Sequence, residues 1–135
     1  KSLPMPMVKG ALKRLDMLRT MPELKTKLWE NTNALQSGLR NAGFDLGTTQ
    51  TCITPVFLKG DIPEAMAMVN DLRENHGIFC SIVVYPVIPK GLIILRLIPT
   101  ATHTQEDIDE TITAFSAIRE LLENGTYKKI AASMV

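Results

Sequence analysis

The sequence predicts an α+β fold: a small three-stranded sheet with helices packed on one face, preceded by two long helical segments. Three observations carry this. Apolar residues recur at helical spacing through residues 5–41. Three short runs of strand length follow, at residues 51–58, 78–84 and 93–98. Turn and capping residues separate these runs, and stretches of helical period lie after the first and third, so the layers alternate as a sheet covered by helices.

The leading helix is expected from about Met5 to Thr20, with Val8, Leu12, Leu15 and Leu18 at helical spacing and Lys9, Lys13, Arg14 and Arg19 between them. Pro22 suits a first helical turn, so a second helix restarts there and carries Leu24, Leu28, Leu35 and Leu39 on one side. It should stop at Asn41-Ala42-Gly43, where Gly43 can take the left-handed conformation. Thr51 to Leu58 alternates and is rich in β-branched residues, which reads as a strand; Pro55 places it at an edge or a bulge. Asp61 and Glu64 have capping-box spacing around Pro63, and the helix they start should turn Ala65, Met66, Val69 and Leu72 inward, with Met66 and Met68 as core filler, and end near His76-Gly77. Ile78 to Val84 and Ile93 to Ile98 are apolar runs of strand length, joined by a loop holding Pro86 and Pro89. Thr104 with Asp107 caps a last helix carrying Ile108, Ile112, Phe115, Ile118 and Leu122 and ending at Asn124-Gly125. From Thr126 a short, frayed tail is expected.

Residues 1–135 make one domain, with 1–43 as leading helices and 51–125 as the α/β layer. Hydrophobic residues at 45% and charged residues at 21% fit a globular chain. A net charge of +1, with both signs interspersed, gives no electrostatic footprint for nucleic acid or a membrane surface. No apolar run reaches the ~18 residues of a bilayer span, so no transmembrane segment is expected. Cys52 and Cys80 lie in strand-like segments and read as small buried hydrophobes; two cysteines make no disulfide framework, and a cytoplasmic location follows. Neither has metal-ligand spacing. The chain opens on Lys1 with no initiator methionine, which leads us to expect a piece of a longer protein.

Arg96 is the residue that says most about function. It stands alone in Leu92-Ile93-Ile94-Leu95-Arg96-Leu97-Ile98. A guanidinium is always charged and carries a rigid fork of donors, so leaving it unpaired in an apolar run would cost several kcal/mol. Three readings follow. The strand turns it outward with its head in water; it pairs with Glu106 or Asp107; or it waits for the carboxylate of a ligand. Other chemistry is sparse. There is no GxGxxG, Walker, HExxH or GxSxG motif. Of the two histidines, His76 sits where it would satisfy helix-end carbonyls, and His103 reads as a structural hydrogen-bonding residue among Thr100, Thr102 and Thr104.

The order Tyr85-Pro86-Val87-Ile88-Pro89-Lys90-Gly91, Leu95-Arg96 and Thr102-His103-Thr104 resembles the C-terminal part of the α-oxoamine synthases, pyridoxal-phosphate (PLP) enzymes of fold type I in the class-II aminotransferase group. Leu28-Trp29-Glu30-Asn31, Asn41-Ala42-Gly43-Phe44, Ile53-Thr54-Pro55-Val56 and the opening Lys1-Ser2-Leu3-Pro4 extend the resemblance over essentially the whole chain. It implies the C-terminal lobe of a PLP-dependent acyltransferase that condenses an amino acid with an acyl-CoA to give an α-oxoamine and CoA. It also implies that Arg96 binds the amino-acid carboxylate, a task suited to a bidentate guanidinium. The opening segment of the family approaches the cofactor phosphate of the neighbouring subunit, so the resemblance assigns Lys1 and Ser2 to that edge, in a homodimer. The family typically has an asparagine where Lys1 stands; a lysine meets a phosphate as a point charge. The Schiff-base lysine, the carboxylate for the pyridine nitrogen and the ring-stacking histidine of the family lie upstream of these residues, so these 135 residues alone should be inactive. The opening with Gly10-Ala11-Leu12-Lys13-Arg14-Leu15 looks most like bacterial serine palmitoyltransferases; the loop from Tyr85 looks like glycine C-acetyltransferases, and 8-amino-7-oxononanoate synthases are a further alternative. A different class also stays open: a non-enzymatic α+β module that binds a small ligand or a partner.

Overall fold

A computed structural model of the chain describes residues 2–133. The elements run α1 Met5–Thr20, α2 Pro22–Asn41, β1 Thr54–Lys59, α3 Ile62–His76, β2 Ser81–Val83, β3 Leu92–Leu97, α4 Gln105–Glu123 and α5 Thr126–Ser133. The strands form one antiparallel sheet in the order β1-β3-β2. The α+β class and the three-stranded sheet agree with the sequence reading. β1 is an edge strand, which is where a proline that cannot donate is tolerated.

Alternation along the strands sorts the two faces. Thr54, Val56 and Leu58 of β1 and Ile93, Leu95 and Leu97 of β3 are buried. They meet Leu35 and Leu39 of α2, Met68 and Leu72 of α3, and Ile108, Phe115 and Ile118 of α4 in one core. Gly38 lets α2 close on α4, because a Cβ there would run into the Ile112 side chain. The opposite face, carrying Pro55, Phe57, Ile94 and Arg96, has no described helix over it.

Capping residues set the helix starts as expected. Asp61 and Glu64 form a complete capping box at α3, and Thr104 and Asp107 form another at α4. Gly77, at φ 65°, is the left-handed cap of α3, and Gly43, at φ 83°, follows α2.

Several expectations are corrected. Residues 51–53 do not join β1, because the Thr49 and Thr51 hydroxyls engage the Ile53 backbone and hold a bend. Cys52 in that bend is half-exposed, whereas Cys80 is buried. The second apolar run pairs only over Ser81–Val83, and Phe79 is 82% exposed. On α3 Met68 is buried but Met66 is 58% exposed, since buried Ala65, Met68 and Leu72 already define the inward face. Over Thr126–Ser133 the expected frayed tail is a helix: α5 packs on α3, and Tyr127, 1% exposed, donates its hydroxyl hydrogen bond to the Asp71 carboxylate. The apolar side chains Leu12, Leu15 and Leu18 of α1 are exposed, and α1 has no buried residue.

Candidate functional site

Arg96 lies on β3, the central strand, between its register partners Pro55 on β1 and Ser81 on β2. The strand period turns its side chain onto the uncovered face, and it is exposed there. Its Nε donates to Ser81 Oγ at 2.9 Å. Among the described residues no carboxylate lies within ion-pair distance of its guanidinium. The two structural partners offered by the sequence are used elsewhere or apart. Asp107 accepts hydrogen bonds from the Thr104 N–H at 2.7 Å and from the Thr104 hydroxyl at 2.9 Å, and these hold its carboxyl below the usual carboxylate range. Glu106 stands beside it in the first turn of α4, with no ion pair to Arg96.

Arg119 supplies the contrast. It is held by the Ala42 carbonyl at 2.6 Å, lies over the Phe44 ring at 4.4 Å, and meets Glu123 at 3.9 Å. Its charge is absorbed by the end of α2 and an aromatic face. Arg96 has one neutral partner and unspent donors. Nothing in the sequence around Arg119 marked it, because Ala42 and Phe44, which hold it, lie in the distant segment that follows α2.

Behind β3, the Thr100–His103 turn is fixed from α2. Asn31, 1% exposed, donates through Nδ2 to the carbonyls of Thr100 at 2.9 Å and His103 at 2.8 Å. His103 Nδ1 accepts from the Thr100 N–H at 3.0 Å, so the neutral ring carries its proton on Nε2. His103 thus makes the hydrogen bond expected of it from the sequence, and Asn31 gains a physical purpose. Gln36 acts similarly, donating to the Thr51 carbonyl and the Thr54 hydroxyl. His103 also lines a cleft of about 290 Å³ with His76, Phe79, Ile98, Asp107 and Glu110, which Arg96 does not line. The loop before β3 is held by Lys90, whose amine lies 5.0 Å from the Tyr85 ring centre. Ser2 precedes α1 and is exposed; Lys1 lies outside the described residues.

Residues 2–115 match the family described as aminotransferase class I and II. The chain belongs to that family. Within the aminotransferase class I and II family its relatives are α-oxoamine synthases. It is 69% identical over 134 residues to the cysteate-C-fatty acyltransferase of Capnocytophaga ochracea, covering 99% of this chain and 32% of that protein. It is 40% identical over 113 residues to the 8-amino-7-oxononanoate synthase of Symbiobacterium thermophilum, covering 83% of this chain and 28% of the relative. Its fold superposes on a serine palmitoyltransferase variant from S. paucimobilis solved with a bound PLP–myriocin aldimine, with a TM-score of 0.79 and 32% identity over 90% of this chain and 31% of that one. The chain thus spans about a third of the length of these proteins, and its α+β arrangement matches the C-terminal lobe of PLP fold type I.

The cofactor of this family is not cradled by the described residues themselves. None of their lysines or carboxylates is buried, the buried polar residues being Asn31, Thr32, Gln36 and Thr54. By themselves they do not fit pyridoxal phosphate. Among the described residues no group of histidine, cysteine, aspartate and glutamate could hold a metal ion, and no helix is long and apolar enough to cross a membrane.

Proposed function

We propose that this chain is the C-terminal, substrate-clamping lobe of a PLP-dependent acyltransferase that condenses an amino acid with a fatty acyl-CoA, and that Arg96 binds the amino-acid carboxylate. The observation that carries the reading is the Arg96 guanidinium itself: on the central strand, on the uncovered face, without an acid partner among the described residues. A carboxylate meeting its terminal nitrogens forms a charge-assisted pair of fixed geometry. Holding the substrate at that end orients its α-carbon, once that carbon has given up its proton, to form the new carbon–carbon bond at the thioester carbonyl, where the carbon–sulfur bond breaks and CoA leaves as a thiolate that takes up a proton. The lysine, ring partner and stacking group for the cofactor belong, on this reading, to the remainder of a longer parent. Ser2, exposed ahead of α1, is free to reach the cofactor phosphate of a neighbouring subunit in a cytoplasmic homodimer.

Cysteate is the amino acid this reading favours. The 69% identity to a cysteate acyltransferase far exceeds the 32% to a serine palmitoyltransferase, the member that the opening segment of the sequence suggested. Serine with palmitoyl-CoA is the second reading, supported by the fold likeness at a TM-score of 0.79. The test is CoA thiol release by the parent enzyme, with cysteate, serine, glycine and alanine each offered with acetyl-, pimeloyl- and palmitoyl-CoA. Release with cysteate and palmitoyl-CoA, several-fold above the other pairs, is expected. Preference for serine would select the second reading, and no release from cofactor-loaded protein would reject the condensation.

A further inference from the structure

The row Pro55, Arg96, Ser81 crosses all three strands at one level, and it sets an arginine beside a hydroxyl on a face with no described helix over it. Directly paired residues on one face of an antiparallel ladder stand close enough for side chains to touch. Here they do: Arg96 Nε donates to Ser81 Oγ at 2.9 Å. This contact does three things. It spends the Nε donor, which removes the side-on mode of carboxylate binding through Nε and one terminal nitrogen. It leaves the end-on fork of the two terminal nitrogens as the surface offered to an anion. It also ties a long, rotamer-rich side chain to a strand, lowering the entropy lost when a ligand immobilises it.

Ser81 has a second property. Its oxygen accepts from Arg96, so its own O–H proton is left to donate, and no described acceptor takes it. Ser81 is half-buried and stands in β2, where backbone pairing to β3 fixes its position independently of any ligand.

We infer that Ser81 is the positioning residue for Arg96: it orients the guanidinium so that an amino-acid carboxylate is received end-on by the terminal nitrogens. The inference rests on the proposed role of Arg96, and the experiment separates the two. In the full-length parent with its cofactor, the Kd of the amino-acid substrate is read by spectral titration for the wild type, Ser81→Ala, Ser81→Thr and Arg96→Ala. The KM for acyl-CoA and the Kd of the corresponding amine, which lacks the carboxylate, are measured in parallel.

Ser81→Ala is expected to weaken the amino acid by roughly five- to tenfold, the worth of one hydrogen bond to a charged partner. Acyl-CoA KM and amine binding should stay within about twofold of the wild type. Ser81→Thr keeps the hydroxyl on a strand that favours β-branching and should restore most of the affinity. Arg96→Ala should lose more than Ser81→Ala, and adding Ser81→Ala to it should cost nothing further, because a residue acting through Arg96 has no effect in its absence. If Arg96→Ala weakens the amino acid while Ser81→Ala does not, the positioning role is overturned and the carboxylate reading stands. If Ser81→Ala weakens the amine and the amino acid equally, or Ser81→Thr is no better than Ser81→Ala, the effect is one of packing and the inference fails. If Arg96→Ala leaves amino-acid binding intact, the carboxylate reading itself falls.

Discussion

Single side chains in this chain divide by whether the fold has already spent their polarity. Asn31 and Gln36 donate to backbone carbonyls, Gln36 also to the Thr54 hydroxyl, and Arg119 is held by the Ala42 carbonyl, the Phe44 ring and Glu123, so truncating any of them would leave a turn or a helix end unsatisfied. Arg96 is the exception on the sheet, and for that reason its substitution should affect binding more than folding. We expect Arg96→Ala to weaken the amino acid by about 1.5–3 kcal/mol in the parent enzyme, with cofactor affinity unchanged. Equal losses of amino acid and cofactor would point to a damaged fold. The cysteines make a second residue-scale test. Burial pushes the Cys80 thiol from its ordinary 9.0 up to about 11, while Cys52 lies half-exposed in a bend. Since the folded value is raised, the neutral thiol's contribution to stability is intact below pH 9 and is lost as pH climbs toward 11. Iodoacetamide at pH 8, followed by peptide mapping, should label Cys52 in the native protein and Cys80 only after denaturation. Equal labelling of both would mean that the core around Cys80 opens readily.

Elements were legible in the sequence where local chemistry decides them. Both capping boxes, the glycines after α2 and α3, the edge position of Pro55 and, to within a residue at each end, β3 were readable, because each rests on residues within a few positions of one another. What was missed depends on distant partners. α5 exists because Tyr127 reaches Asp71, 56 residues away, and tail residues after a glycine carry no sign of that. The run from Ile78 is as apolar as β3, yet its register with Arg96 begins only at Ser81, so period and hydrophobicity overstated the strand. At the site, the isolation of Arg96 was visible in the sequence, but Ser81 was not: it is 15 residues away and joins Arg96 only through strand register. The α4 cap gives the prediction at this scale. Thr104→Ala should lower stability by about 1 kcal/mol in urea melts near neutral pH. Asp107 has a lowered carboxyl pKa, so its contribution is present above the unfolded value of roughly 3.9 and fades as pH falls through the folded one. The gap between wild type and Asp107→Asn should therefore close below about pH 4. A gap that persisted there would mean that the charge of Asp107 is not what stabilises the cap.

The molecule as a whole is asymmetric. One sheet face is sealed by α2, α3 and α4, and the other carries Arg96 with half-buried Phe57 and Ile94 and has no described helix over it. α1 repeats the pattern: Leu3 just ahead of it, and Met5, Leu12, Leu15 and Leu18 along it, are exposed, and none of its residues is buried. Apolar surface of that kind marks an interaction surface in a folded protein. On the proposed reading both surfaces face the remainder of the parent, and the arginine is enclosed where water is scarce and its charge is most effective. A helix with no fully buried residue owes its structure chiefly to local propensity and opens easily when uncovered. Limited trypsin digestion can report this, since Lys9, Lys13, Arg14 and Arg19 punctuate α1. Cleavage after Lys13, Arg14 and Arg19 should be among the earliest events for residues 1–135 expressed alone, and should be slower by an order of magnitude or more in the full-length enzyme. Similar rates in the two proteins would show that α1 lies uncovered in the parent as well, and its leucines would then have to serve a contact outside the enzyme.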